Sequence, residues 1–256
     1  MNIAIIGGGH IGGACALGLA ANKEPWEGNI TVSARRAETL SKFEGTPVRG
    51  TTDNALAVKD ADTVIFSVRT DQMQEAVSSV KDFLKGKTVV CMAAQVEPAL
   101  MQRYIGEGVE LIYVIPNTAA AIGQSMTFIS SYSASEESMR KVDGIFLRLG
   151  RTMTVPIELL PAGISLASCG IGYAFNYIAA AVKGGMRLGF SQNEAHKIVI
   201  QTVLGAAAMQ ELSKESPEVE LAKVATRGGI TEKGVLAMEE AGFTEAVIAG
   251  LCIDTK

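Results

Sequence analysis

The chain has 256 residues, with 23 Lys and Arg against 27 Asp and Glu and a formal net charge of −4. This balance excludes the basic field that attracts nucleic acid or an anionic membrane surface, so we expect neither partner. We expect no signal segment and no long uninterrupted apolar span, which predicts a cytoplasmic protein. The four cysteines lie far apart without a CxxC pair, so buried reduced thiols are predicted, with neither disulfides nor a metal site.

The chain begins with a predicted strand, a glycine-rich turn and a helix. Residues 2–6 are a short apolar run rich in β-branched side chains, which indicates a buried parallel strand. Three glycines follow with the GxGxxG spacing of a dinucleotide-binding turn: Gly7, Gly9 and Gly12. The first permits the tight turn, the second lets backbone approach a pyrophosphate, and the third lets the helix pack closely on the strand. We therefore predict a dinucleotide site here, with the backbone N–H groups of His10 and Ile11 facing the phosphates.

The end of the second predicted strand, residues 29–33, indicates which dinucleotide is bound. A fold that selects NAD places Asp or Glu there for the ribose 2′-hydroxyl, whereas this chain has Ser33, Ala34, Arg35 and Arg36. Two guanidinium groups suit a 2′-phosphate, so the prediction is NADP(H), with Ser33, Arg35 and Arg36 as contacts. The alternative is that both arginines are solvated charges at the start of the next helix.

Further β/α alternation is predicted up to about residue 153. Residues 51–54 are predicted to cap a helix, residues 71–84 form another, and strands are predicted at 62–68, 87–92, 111–115 and, as an edge strand, 126–130. Ligands of doubly wound sheets bind at the carboxyl ends of the strands, so Ser67, Val68 and Ala93 are predicted cofactor contacts. Ala93 is small enough to leave room for a nicotinamide ring, although simple core packing accounts for it equally well.

The second half of the chain has a different pattern. From Glu158 onward Ala, Leu, Ile and Gly recur at helical spacing without a convincing strand. The fold class predicted is α/β, with an N-terminal Rossmann-type doubly wound sheet over residues 1–154 and an all-helical domain over 155–256. Apolar residues surround much of the helices at 174–182 and 198–209, which implies burial on more than one side. A homodimer or a higher homo-oligomer through these helices would supply that burial.

Residues for acid–base catalysis are scarce. No triad, metal cluster or Tyr–Lys pair stands out, and neither histidine is expected to be catalytic. The His10 side chain is expected to face solvent or cofactor, and His196 is expected to be an ordinary partly exposed residue. A hydride-transfer enzyme of this composition needs a small-molecule substrate that asks little of acid–base groups. A cationic imine is such a substrate, because its nitrogen already carries the proton.

A second glycine-rich loop lies between two predicted helices. Gly228 and Gly229 are followed by Ile230 and Thr231, with the threonine at a position that can cap the next helix. Several N–H groups at a helix start form an anion cradle, sized here for a carboxylate, so these four residues are predicted to bind substrate. The alternative is a plain helix–helix turn.

Five segments, in the same order, resemble those of the pyrroline-5-carboxylate reductase family. They are GGGHIGGA at residues 7–14, the pair Asp53-Asn54 with ADTVIFSVRT after it, IPNTAA at 115–120 (the family has MPNTPA), Glu158 with LPAGISLASCGIGYAF after it, and TRGGIT at 226–231 (the family has SPGGTT). No single match is specific, but the order and spacing are. The resemblance covers nearly the whole chain.

This resemblance implies an N-terminal Rossmann domain, a helical dimerisation domain and NADPH-dependent reduction of 1-pyrroline-5-carboxylate to L-proline. It implies that Thr231 binds substrate and donates a proton, and that the N–H groups of Gly229, Ile230 and Thr231 hold the substrate carboxylate. It also implies that Asn54 contacts NADP and that Asn117 lies beside the nicotinamide.

Departures from the family pattern cluster on the expected substrate side. Arg69-Thr70 replaces Lys-Pro, Thr226-Arg227 replaces Ser-Pro, and residues 168–172 replace Gly-Ser-Gly-Pro-Ala. Two alternatives therefore stay open: reduction of another small carboxylate imine or carbonyl compound, and a non-catalytic NADP-binding sensor. The β-hydroxyacid dehydrogenases have a similar architecture but rely on a lysine after a glycine-rich helix start, which residues 170–177 lack.

Overall fold

The computed structural model describes residues 1–22 and 26–253 and divides into two compact units, Met1–Ser168 and Cys169–Lys256. The first unit is an eight-stranded sheet covered by helices, and the described part of the second unit contains helices without strands. The predicted fold class, a Rossmann-type sheet followed by an all-helical domain, is confirmed.

The sheet has its topological switch point beside the first strand. Its strands are β1 (Ile3–Ile6), β2 (Ile30–Ser33), β3 (Arg49–Thr51), β4 (Thr63–Phe66), β5 (Thr88–Cys91), β6 (Glu110–Ile115), β7 (Ser125–Ser131) and β8 (Gly150–Thr154). They lie in the order β3-β2-β1-β4-β5-β6-β7-β8, and all neighbours are parallel except β6 and β7. The prediction of residues 126–130 as an edge strand is wrong, because β8 pairs with β7 along its other side.

Both faces of the sheet are buried. Ile3 and Ile5 belong to one core cluster, whereas Ala4 and Ile6 belong to the other, because successive side chains of a strand point to opposite faces. Burial on both sides explains why the first strand is a continuous apolar run rather than an alternating one.

The helices of the first unit are mostly short. They are α1 (His10–Ala21), α2 (Asn54–Val58), α3 (Met73–Ser78), α4 (Pro98–Ile105), α5 (Glu136–Leu147) and α6 (Leu160–Gly163). The prediction of one helix over 71–84 is wrong, since only α3 is α-helical there. The Ser79 hydroxyl donates to the Ala76 carbonyl at 2.7 Å, a local bond that competes with helix continuation, and Val80 leaves helical geometry with φ −135°.

The first unit extends past residue 154 because the start of the helical region packs on the sheet. Leu160 is buried in the sheet's core, and Ile157 and Ile164 pack against that core. A Cβ on Gly163 would lie 2.7 Å from the Phe128 ring, so the backbone there is in direct contact with β7. The two compact units therefore divide at the end of a π-helix, Ile164–Cys169. The functional boundary at 154/155 stays a prediction.

The second unit buries little of its own apolar surface. Its helices are α7 (Gly170–Arg187), α8 (Gln192–Leu212), α9 (Pro217–Val224), α10 (Ile230–Glu240) and α11 (Phe243–Leu251), and Ala195 is the one residue buried in them. Large apolar side chains stay exposed, among them Phe175 at 64%, Leu204 at 59% and Met209 at 62%. Such a surface requires a further covering element.

One segment of the described residues, Ile157–Arg187, is long and apolar enough to cross a membrane, by length and composition alone. The expectation that the chain lacks a long apolar span is therefore wrong, because residues 159–182 contain no charged side chain. Helices in the core of a protein or an assembly satisfy the same criterion. The finding therefore shows that the surface of this segment is apolar, but not what covers it.

The prediction of buried thiols holds for two of the four cysteines. Cys15 and Cys91 are buried in the first unit, whereas Cys169 and Cys252 are exposed. Burial raises the pKa of the Cys15 thiol to about 12 and that of Cys91 to about 11, because a thiolate loses its hydration in the core.

Candidate functional site

The turn between β1 and α1 is shaped by the chain's own backbone. Gly7 has φ 107°, where glycine is favoured, and a Cβ there would lie 2.3 Å from the Ser67 carbonyl oxygen. A Cβ on Gly12 would lie 2.1 Å from the Gly7 carbonyl oxygen. The N–H groups of Gly7 and Gly8 both donate to the Ser33 carbonyl at 3.0 Å. These contacts fix the turn against the ends of β2 and β4.

The open side of this turn is at Gly9. A Cβ on Gly9 would meet nothing within 4 Å, and the residue is the exposed N-cap of α1. Helical hydrogen bonding starts with the Gly13 N–H, which donates to the Gly9 carbonyl at 3.0 Å. The N–H groups of His10, Ile11 and Gly12 precede that bond and so lack a carbonyl one turn back. Donors at the positive end of a helix suit an anionic group such as a phosphate.

Arg35 and Arg36 lie just past the end of β2, after Ala34, and both are exposed. Neither forms an ion pair within residues 1–22 and 26–253. By contrast Arg69, which follows β4, pairs with Asp71 at an Nε–Oδ1 distance of 3.0 Å. These two arginines are thus cations without a carboxylate partner in the described residues, and they follow the strand next to the turn.

Ser33 and Asn54 are joined by a side-chain hydrogen bond. The buried Ser33 hydroxyl donates to Asn54 Oδ1 at 2.6 Å, and Asn54 Nδ2 donates to the Ser79 hydroxyl at 3.0 Å. Asp53 caps α2, as predicted for this segment, because its side chain accepts hydrogen bonds from the N–H groups of Ala55 and Leu56. These bonds hold the end of β2 against α2, and a cofactor contact from Asn54 would use the remaining capacity of its amide.

Asn117 is buried at 4% exposure and organises the loop after β6. Its Oδ1 accepts from the Ala119 N–H at 3.0 Å, and its Nδ2 donates to the Ala167 carbonyl in the π-helix at 3.2 Å. The loop packs directly on α1, because a Cβ on Gly18 would lie 2.0 Å from the Ala120 carbonyl oxygen. The side chain of Asn117 therefore positions the backbone of Ala119 and Ala167 near the carboxyl end of β6.

The remaining residues predicted for the cofactor lie at the carboxyl ends of β4 and β5. Ser67, Val68 and Ala93 are all half-buried. The Ser67 hydroxyl lies 3.0 Å from where a Gly12 Cβ would be, so it sits directly against the turn. The Ala93 carbonyl accepts from the Val96 N–H at 3.0 Å. The sheet thus brings these residues to the edge that carries the glycine turn.

The loop before α10 has a different geometry from the one predicted. The helix begins at Ile230 with Gly229 as its N-cap, so the prediction that Thr231 can cap it is wrong: Thr231 is already its second residue. The Gly229 N–H donates to the Thr226 carbonyl at 2.8 Å. Ile230, 91% exposed, and Thr231, also exposed, keep first-turn N–H groups that the helix itself does not use.

Glu232 is a residue of this loop that the sequence analysis missed. Gly228 has φ 73°, and its N–H donates to Glu232 Oε2 at 2.6 Å. The signal was present in the sequence, since a glutamate three residues after an N-cap often bonds backward to the N–H groups of a helix start. A carboxylate therefore already lies at the predicted anion cradle.

No metal site is formed by the part of the chain that the structure describes, where no three His, Cys, Asp or Glu side chains cluster. His10 and His196 are both exposed.

Two sequence families match the chain: NADP oxidoreductase coenzyme F420-dependent over residues 2–95, and pyrroline-5-carboxylate reductase dimerisation over residues 158–253. The pyrroline-5-carboxylate reductase of Arabidopsis thaliana is 30% identical over 257 residues, covering 99% of this chain and 93% of that protein. Pyrroline-5-carboxylate reductase 1 of Dictyostelium discoideum is also 30% identical, over 97% of this chain, but the chain spans only 48% of its length.

Among solved structures, pyrroline carboxylate reductase of Plasmodium falciparum with NADP bound superimposes with a TM-score of 0.89. The match covers 98% of this chain and 94% of that one, at 19% sequence identity. At that identity the likeness shows the fold alone.

Proposed function

The chain belongs to the pyrroline-5-carboxylate reductase family, and from that premise we propose that it reduces 1-pyrroline-5-carboxylate to L-proline with NADPH. The observation that carries the proposal is the turn at Gly7–Gly12, which is closed against its own backbone on one side and open at Gly9 on the other. The first unit supplies the cofactor site and the second unit supplies the loop for the substrate carboxylate.

The residues of the first unit fit NADP(H). A Cβ on Gly7 or Gly12 would collide with backbone, whereas the space over Gly9 is open, as close approach of a pyrophosphate requires. The first-turn N–H groups of α1 would hold the pyrophosphate, and Arg35 and Arg36 would hold the 2′-phosphate. When bound, NADPH supplies the hydride. Both arginines are exposed and form no ion pair with the residues that the structure describes, which favours NADP(H) over NAD(H).

The residues of the α10 loop act on the substrate. The N–H groups of Ile230 and Thr231 bind the carboxylate, because they lie at the positive end of the helix. Gly228 and Gly229 shape the loop, since their N–H groups are already bonded to Glu232 and Thr226. The Thr231 hydroxyl hydrogen-bonds the imine nitrogen and donates a proton to it, the role that the family resemblance implies. Catalysis then comes from orientation and charge complementarity rather than from a strong acid.

The match of residues 158–253 to a dimerisation family indicates homo-oligomerisation, and we propose specifically a homodimer. The exposed apolar side chains of α7 and α8, Phe175 and Leu204 among them, supply the surface that a second copy would cover. Sedimentation at micromolar concentration tests this: a dimer is expected for the natural chain and a monomer for Leu204→Glu. A natural chain that sediments as a monomer contradicts the proposal.

We also propose that the protein works in the cytoplasm. Cys15 and Cys91 are thiols in the core of the first unit, a state that a reducing compartment maintains. Cell fractionation tests the proposal: recovery in the cytoplasmic fraction is expected, and recovery with membranes or outside the cell contradicts it.

The activity is tested by following NADPH absorbance with 1-pyrroline-5-carboxylate. The expected result is NADPH oxidation with one L-proline formed for each NADPH consumed. If NADPH is oxidised only with other small carboxylate imines or carbonyl compounds, one of those compounds is the substrate instead. Binding of NADPH without any oxidation would favour the sensor.

A further inference from the structure

Lys42 reaches over the dinucleotide turn from the side of β2. Its Nζ donates to the Gly9 carbonyl at 3.0 Å. A Cβ on Gly13 would lie only 2.6 Å from the same Nζ, so the ammonium group rests on the first turn of α1. It is therefore held beside the open Gly9 end of the turn, although Lys42 is 33 residues away in sequence.

This ammonium group has no carboxylate partner within residues 1–22 and 26–253. Its nearest ring is Phe43, with 5.5 Å between Nζ and the ring centroid. Partial burial lowers the pKa of Lys42, as expected for a cation that loses hydration without gaining a counter-ion. The charge is thus held in place but not neutralised.

Arg35 and Arg36 belong to the same side of the turn. A Cβ on Gly8 would lie 3.5 Å from the Ala34 Cβ and 3.7 Å from the Phe43 ring, so both ends of the segment flank the turn. The arginines directly follow Ala34, and Lys42 directly precedes Phe43. The segment from Ala34 to Phe43 therefore carries three cationic residues, Arg35, Arg36 and Lys42, and both of its ends lie against the turn.

We propose that Lys42 binds the adenosine 2′-phosphate of NADP(H) together with Arg35 and Arg36 and so helps to select NADP(H) over NAD(H). This inference rests on the proposed function. An ammonium group has three donors, and the bond to Gly9 uses one, which leaves two for phosphate oxygens. A 2′-phosphate carries several strong acceptors and accommodates donors from more than one cation. The Lys42 ammonium group then has two roles: it stabilises the turn through Gly9, and it contacts the phosphate that distinguishes NADP(H) from NAD(H).

Nucleotide binding without substrate tests the inference. NADP⁺ and NAD⁺ are titrated by calorimetry into the natural chain, Lys42→Met and Lys85→Met. Lys85 is exposed, so its variant controls for loss of one positive charge. Lys42→Met is expected to weaken NADP⁺ binding about tenfold, the size of a charge-assisted hydrogen bond, and to leave NAD⁺ binding within about twofold. Equal weakening of both nucleotides, or no weakening of NADP⁺, overturns the inference.

Gly13→Ala provides a second test that keeps every charge. The new methyl group would take the place of the Lys42 ammonium, and the end of that flexible side chain can move aside without disturbing the fold. The variant is expected to weaken NADP⁺ binding selectively and to have no further effect in the Lys42→Met background, because both changes remove one interaction. Additive effects of the two substitutions contradict the assignment.

The two levels of proposal fail in different ways. A natural chain that binds NADP⁺ no better than NAD⁺ overturns the cofactor part of the proposed function. A natural chain that prefers NADP⁺, with Lys42→Met keeping that preference, overturns only the role of Lys42.

Discussion

The chain contains two glycine-rich helix starts, at α1 and α10, that differ in how closely their glycines are packed against the rest of the chain. At α1, a Cβ on Gly7 or Gly12 would lie 2.3 Å and 2.1 Å from backbone oxygens. At α10, a Cβ on Gly228 would meet nothing within 4 Å, and one on Gly229 would lie 2.8 Å from the carbonyl and hydroxyl oxygens of Thr226, within the same loop. The first start is defined by its packing in the sheet, and the second by hydrogen bonds within its own loop.

This difference separates the proposed cofactor site, which a single chain can form, from the proposed substrate loop, which is more exposed. Around α1, Gly7 and Gly12 are packed against backbone and Gly9 is open, so the proposed phosphate site is already shaped within a single chain. Around α10 a large apolar side chain, Ile230, is 91% exposed beside an exposed Thr231. Burial of Ile230 would be favourable, and in the proposed homodimer a second copy of the chain would be available to cover it.

The largest expected effect comes from comparing Gly12, in the first turn of α1, with Gly234, in the interior of α10. Gly12→Ala places a methyl group against the Gly7 carbonyl, so we expect it to lower the free energy of unfolding by about 1–3 kcal/mol and to abolish NADP⁺ binding. Gly234 lies exposed in α10 with nothing near it, so Gly234→Ala is expected to stabilise the chain by about 0.4–1 kcal/mol. Urea unfolding and calorimetric titration measure both.

Two outcomes would break that contrast. Normal NADP⁺ binding by Gly12→Ala would mean that the turn tolerates a side chain and is not packed as described. Destabilisation of the assembled protein by Gly234→Ala would place Gly234 in contact with another copy.

The next largest effect is expected at Thr231. Thr231→Ala removes the hydroxyl assigned to the imine nitrogen, and a hydrogen bond to a charged group is worth about 1.5–3 kcal/mol, so kcat is expected to fall about tenfold to a hundredfold. Thr231→Ser is expected to restore most of the rate, and NADP⁺ binding should be unchanged in both variants. Steady-state kinetics with 1-pyrroline-5-carboxylate provides the measurement; natural turnover by Thr231→Ala removes the residue from the mechanism.

The same contrast explains what could be predicted from sequence. The turn at Gly7–Gly12 was predictable because strand, turn and helix are adjacent and each glycine has a local reason. The order of strand and helix regions followed from the change of hydrophobic period. The roles of Ser33 and Asn117 within the protein were not predictable, because their partners are distant in sequence, as in the bond between Asn117 and Ala167.

Errors arose where a side chain or a distant strand decided the local structure. Ser79 ends α3 by bonding back to the helix, and β8 makes β7 an interior strand. Lys42 and Glu232 were missed because side-chain reach, not residue type, brings each to a glycine turn. Such long or backward contacts leave only a weak signal in the sequence.

A smaller effect is expected at Glu232, whose carboxylate accepts from the Gly228 N–H in the same loop where the substrate carboxylate is proposed to bind. Glu232→Gln keeps an oxygen for the Gly228 N–H but removes a negative charge near the helix start. Since such charge interactions are worth about 0.3–1 kcal/mol, KM for the substrate should fall about twofold to fivefold with kcat unchanged. Glu240→Gln, at the exposed far end of α10, controls for net charge. A raised KM in Glu232→Gln would show that the carboxylate supports binding.

The smallest expected effect on function comes from modification of the thiols. Their reaction rates compare the two units directly, because each unit contains two of the four cysteines. Cys15 and Cys91 have raised pKa values because of burial, so little thiolate forms and they should react slowly with Ellman's reagent in the native protein. Cys169 and Cys252 are exposed in the single chain and should react quickly, with NADP⁺ binding unchanged. If Cys169 reacts only after the oligomer is dissociated by dilution, a second copy covers the start of α7. Fast reaction of Cys15 or Cys91 would instead contradict the packing of the first unit.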